Sequence, residues 1–148
     1  MEKDIEACAR LPGVRGAFVC DNVGEVMATS NPPPLATDSL SRIAQEVVRS
    51  FAAMQVGGRP AQALQYDFQS WQLYAQDLGG SAVLIVVSEP DADRAMVRMT
   101  ARVTAQQWRA DKNAARQLAA WQKARTPLLA RGQLDDRSAR LWSAFAGA

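Results

Sequence analysis

Cys8 and Cys20 are the two thiols of a 148-residue chain that contains no histidine. Their spacing is too wide for a CxxC motif, and without histidine a zinc site would have to be completed by carboxylates. Both read as small buried hydrophobes. A disulfide between them is disfavoured, because nothing marks the chain as secreted and unpaired cysteine is among the most buried residue types. A Ser/His/Asp or Cys/His arrangement is excluded by composition. Lys3, Lys112 and Lys123 sit in polar stretches unsuited to a low-pKa nucleophile. Gly57-Gly58-Arg59 and Asp77-Leu78-Gly79-Gly80 lack the glycine spacing and the following Lys-Ser/Thr of a phosphate loop. Asp91/Asp93 and Asp135/Asp136 stand where helices are expected to start, so their role is with the helix dipole. No catalytic residue, cofactor site or metal site is expected, and the chain reads as a non-enzyme.

The elements around these residues are those of one soluble domain with an appendage. The composition is 48% hydrophobic, enough for one ordinary core. The longest apolar run, Ala82 to Val87, is far short of the ~20 residues that cross a bilayer. The charged start MEKDIEACAR is unlike a signal peptide, so the expected location is cytoplasmic. Residues 1–104 carry nine Lys/Arg against twelve Asp/Glu, net −3, whereas 105–148 carry eight against three, net +5. That shift divides the chain into a domain, 1–104, and a helical C-terminal extension, 105–148.

Periodicity predicts a helix from Lys3 to Leu11 ended by Pro12-Gly13. A strand follows from Val14 to Asp21 with apolar groups on both faces, then a turn at Asp21-Asn22-Val23-Gly24, then a strand from Glu25 to Thr29. Consecutive prolines make residues 30–34 an extended loop. Leu40, Ile43, Ala44, Val47, Val48 and Phe51 define a helix from Ser39 to about Val56, capped by Thr37, Asp38 or Ser39. Three strands come next, at Ala61 to Phe68, Trp71 to Leu78 and Ser81 to Ser88, the last apolar on both faces. A third helix should hold Pro90 in its first turn and bury Ala92, Ala95, Met96, Met99 and Val103. Beyond Pro127 and Gly132, the residues Leu134, Leu141, Trp142 and Phe145 are spaced as the apolar stripe of an amphipathic helix.

This order, with the hairpin LPGVRGAFVCDNVGE, the long second helix and the helix start SEPDADRAMVRM, resembles the Roadblock/LC7 family over residues 3 to 104. Profilin-type and longin-type domains share much of the pattern and are the competing folds. The resemblance implies an α+β fold in three α/β/α layers. Its five-stranded antiparallel sheet has the order 2-1-5-4-3, the first and third helices on one face and the second on the other. It also implies a homodimer joined along strand three, at Ala63, Leu64, Gln65, Tyr66, Asp67 and Phe68, an edge with no Lys or Pro to block pairing. The partner it implies is a Ras-like small GTPase of bacterial type, met by the outward face of the second helix: Ser39, Arg42, Glu46, Arg49, Ser50 and Ala53. Judged by its residues alone, that face is a solvated surface with Arg42 and Glu46 as a pair worth ~0.3 kcal/mol.

Two other functions compete. One is a structural scaffold subunit with no GTPase partner. The other is nucleic-acid binding through Trp108 and Trp121 amid Arg109, Arg116 and Arg125, which is disfavoured because tryptophan at helical spacing usually packs.

Overall fold

The computed structural model describes residues 1–79 and 82–130, with 125–130 as backbone only. The elements run α1 (Glu2–Ala9), β1 (Val14–Asp21), β2 (Val26–Thr29), α2 (Thr37–Val56), β3 (Ala63–Asp67), β4 (Gln72–Gly79), β5 (Ala82–Ser88), α3 (Arg94–Ala110) and α4 (Lys112–Ala130). All strand pairs are antiparallel, in the order β2-β1-β5-β4-β3. The fold is therefore α+β, with the sheet order that the resemblance implied. Strand β1 has the bounds read from the sequence, the other strand ends differ from that reading by at most two residues, and Phe68 lies just past β3. No helix among the described residues is long and apolar enough to cross a membrane.

Strands β1 and β5 are central, and alternation sends their side chains into two cores. Phe18, Cys20, Val83, Ile85 and Val87 face α2, where Leu40, Ala44 and Val47 close over them together with Leu73 and Ala75 of β4. Ala17, Val19, Leu84 and Val86 point the other way and are also fully buried, on the side where α1 packs on β1 and α3 packs on β4. All seven residues of β5 are buried, which is why its sequence shows no polar alternation.

The β1–β2 turn is held by one carboxylate. Asp21 is fully buried, and its Oδ1 accepts from the backbone N–H of Val23 at 3.0 Å and of Glu25 at 2.9 Å. Gly24 takes φ of +87° and lies directly against α2.

Two helix starts differ from the sequence reading. Helix α2 begins at Thr37 with Ala36 as N-cap and no side-chain cap. Pro90 lies in the turn before α3, because Asp93 captures the free amides: its Oδ1 accepts from Ala95 at 3.0 Å and Met96 at 3.2 Å.

The buried face of α3 also differs. Val97, Ala101, Thr104, Ala105 and Trp108 face inward, while Met96, Met99 and Val103 are among the exposed large hydrophobics. Both stripes are apolar with helical spacing; the small side chains of Ala101 and Ala105 select the face that packs closely. Trp108, at 5% exposure, is unavailable for base stacking.

Helix α3 runs unbroken through residue 105, where the charge balance shifts. The chain divides into two compact units, Met1–Ala115 and Arg116–Ala148. The amphipathic helix expected beyond Gly132 lies outside the described residues.

Cys8 and Cys20 are free and buried. Cys8 Sγ is 3.9 Å from Thr104 Oγ1, on the α3 side of the sheet, and Cys20 belongs to the core under α2. Burial, with Asp21 adding to it, pushes the Cys20 thiol up to about 12; burial also raises Cys8. A raised thiol pKa favours the neutral form in the fold. This contribution to stability is thus present below the ordinary thiol range and is lost as the pH climbs toward 12. Neither cysteine should react with iodoacetamide at about pH 8 until the protein is denatured, which intact mass before and after urea will check. Labelling of the native protein at either position would contradict this burial.

Candidate functional site

The expected partner residues lie along α2, whose inner stripe is pinned to the sheet by Leu40, Ala44 and Val47. Opposite stands β3, the sheet edge, whose Leu64 and Tyr66 pack against the same core. Between them a groove of about 550 Å³ opens. Ser39, Arg42 and Glu46 line its α2 wall, and Tyr66, Phe68, Trp71 and Leu73 line the other.

The aromatic wall is ordered by stacking. The Phe68 and Trp71 ring centroids are 4.3 Å apart, and Tyr66 and Phe68 lie nearly parallel at 6.5 Å. Phe68 remains 49% exposed. Among the described residues Tyr66 Oη is buried without a hydrogen-bond partner, a state with a desolvation penalty that a polar group entering the groove would relieve. An apolar strip with one unpaired hydroxyl and a charged rim is suited to receiving a protein surface, and it has no nucleophile and base in contact. Among the described residues no group of three or more His, Cys, Asp and Glu could hold a metal ion.

Along the rim, Glu46 pairs with Arg49, Oε1 to Nη1 at 3.2 Å, and not with Arg42 as the i, i+4 spacing suggested. Both partners are largely exposed, so the pair adds little to stability. Arg42 has no carboxylate partner among the described residues and is left with a free charge at the groove mouth. Ser50 Oγ donates to the Glu46 carbonyl at 2.9 Å, which satisfies it within the helix. Ser39, Arg42 and Glu46 thus meet at the groove, while Arg49, Ser50 and Ala53 are not among the residues that line it. The sequence reading missed the aromatic wall. Its signal was the clustering of Tyr66, Phe68 and Trp71 about a tight turn, a pattern that strand alternation alone does not explain.

The open edge of β3 is also specified. The Asp77 N–H donates to the Gln62 carbonyl at 2.8 Å, and the Phe68 N–H to the Trp71 carbonyl at 2.9 Å. Antiparallel alternation then turns the backbone of Leu64 and Tyr66 toward β4 and that of Ala63, Gln65 and Asp67 outward. Among the described residues no strand pairs with these three successive outward sites.

No protein-family model matches the sequence, and no curated protein does. Solved structures do. A Roadblock/LC7 domain from Streptomyces avermitilis superimposes with a TM-score of 0.64 at 16% identity, covering 74% of this chain and 95% of that one. An MglB with a tetrameric arrangement gives 0.61 at 24% identity, covering 78% and 85%. The gliding protein MglB from Thermus thermophilus gives 0.60 at 23% identity, covering 78% and 85%. With strand order, helix placement and these superpositions in agreement, the chain has a Roadblock/LC7-type fold.

Proposed function

We propose that this chain is a noncatalytic, homodimeric regulator or scaffold that binds a Ras-like small GTPase through the outward face of α2. Residues 1–104 serve as the Roadblock/LC7-like domain and 105–148 as its helical extension. The observation that carries the reading is the apolar groove between α2 and β3, rimmed by Arg42 and Glu46 and bordered by an unpaired sheet edge. Pairing of β3 with its twin would set two α2 helices side by side on one face. A GTPase resting on that face would be regulated by preference for one of its nucleotide states, since a partner shifts a conformational equilibrium only by its differential affinity. A dimer-symmetric helical surface is poorly shaped to drive a single arginine into a nucleotide cleft, which argues against catalysis by an inserted side chain.

The test is charge reversal on α2. Arg42→Glu combined with Arg49→Glu should abolish capture of a small GTPase from native cytosol, read by mass spectrometry with GTP or GDP added, while circular dichroism stays unchanged. Both side chains are exposed, so the fold does not depend on them. Undiminished capture by the double variant would move the site elsewhere.

A further inference from the structure

A second charged surface lies on the opposite side of the sheet. Arg94, Arg98 and Arg102 recur every fourth residue on α3 and are all exposed. They line a shallow pocket of about 290 Å³ together with Ala63, Leu64, Gln65 and Tyr74. Only the first is answered: Arg94 Nη2 meets Asp67 Oδ1 at 3.0 Å. Arg98 and Arg102 have no carboxylate partner among the described residues. Both act on Tyr74, whose phenol is pushed up by burial while Arg102 and Arg98 pull it down. Like charges at i, i+4 oppose a helix, so two arginines without a carboxylate partner, Arg102 in hydrogen-bond contact with the neutral Tyr74 phenol, form a site that an anion stabilises.

We propose that this flank of α3 binds an extended acidic segment of a partner protein, with carboxylates at alternate residues set against Arg98 and Arg102. Spacing supports that occupant. Four residues of helix rise ~6 Å, and every second residue of an extended chain advances ~6.6 Å, so successive carboxylates meet successive guanidiniums. A single-stranded nucleic acid would need exposed rings for its bases, but the ring on this face, Tyr74, is 6% exposed and its hydroxyl is held at 3.1 Å from Gln76 Oε1. The stacked rings of Tyr66, Phe68 and Trp71 line the α2 groove instead. The segment lies over the α3 face, not in the sheet plane, and therefore leaves the β3 edge open. The site stands independently of any role for α2.

The experiment is fluorescence anisotropy on the full chain with a labelled peptide of alternating Glu and Ser. Saturable binding is expected, weakened several-fold on raising salt from about 0.05 to 0.3 M. Arg98→Glu with Arg102→Glu should weaken it about tenfold or more, and Arg98→Gln with Arg102→Gln, which removes the charges without reversing them, should weaken it too and decides the matter where charge reversal disturbs folding. Arg42→Glu with Arg49→Glu should leave it unchanged, which separates this site from the one on α2. Absence of peptide binding at about millimolar concentration, or binding indifferent to both α3 variants, overturns the proposal. So does tighter binding of oligothymidylate or anionic vesicles through the same arginines.

Discussion

Gly24→Ala should lower the unfolding free energy by about 2–4 kcal/mol, a large share of the ~5–15 kcal/mol that holds such a domain together. Two causes add. Gly24 sits at φ +87°, where a non-glycine residue carries roughly 1–2 kcal/mol of strain. A Cβ there would also come within 2.9 Å of Gln45 Cα and 3.0 Å of Gln45 N, backbone atoms in the middle of α2 that move only if the helix moves. Gly24→Asn separates the two, because asparagine tolerates the left-handed region but still carries the Cβ. It should therefore remain destabilised by more than about 1 kcal/mol. Urea unfolding midpoints of the three proteins decide this. An alanine variant within about 0.5 kcal/mol of the parent would show that the hairpin turn does not bear on α2 as the structure has it.

In the proposed β3–β3 homodimer, Gln65→Pro should release monomers while leaving each protomer folded. The Gln65 backbone faces the open edge of β3 and not β4, so proline there removes no bond of the β3–β4 ladder, and edge strands accept it. Two copies of the ring would stand near the dyad of a β3–β3 pairing. Each removes a donor worth about 1 kcal/mol and obstructs the approaching strand. Together they should weaken association on the order of a hundredfold. Sedimentation equilibrium of parent and variant measures it, with circular dichroism as the check on fold. A parent that is monomeric at tens of micromolar, or a variant that dimerises as well as the parent, would remove β3 from the interface.

Tyr66→Pro is the useful contrast. Its backbone bonds to β4, so it should unfold the edge and not merely free it.

The order and type of the elements are legible in the chain, since they depend on local periodicity and turn chemistry. The run Ala82 to Val87 announced a strand covered on both faces, and Asp21 with Gly24 announced a hairpin; β5 is buried throughout and the turn closes on the Asp21 carboxylate. The outward face of α2 could be read in the same way because its inner stripe was unambiguous.

Which face of α3 is buried depends on packing instead. Met96, Met99 and Val103 have helical spacing as good as that of Val97, Ala101, Thr104, Ala105 and Trp108, and a helix can be rotated about its axis without changing its pattern. Packing of α3 on the sheet selects one rotation, the one that buries Val97, Ala101, Thr104, Ala105 and Trp108. The same holds for the groove, where Arg42 and Trp71 are separated by a helix end, a loop and a strand, and no local rule brings them to one wall and its opposite. Glu46, too, had two arginines within reach, and in the structure it pairs with Arg49. Local energies are fixed by neighbours in the chain, whereas rotational phase and the meeting of distant faces are fixed only when surfaces pack.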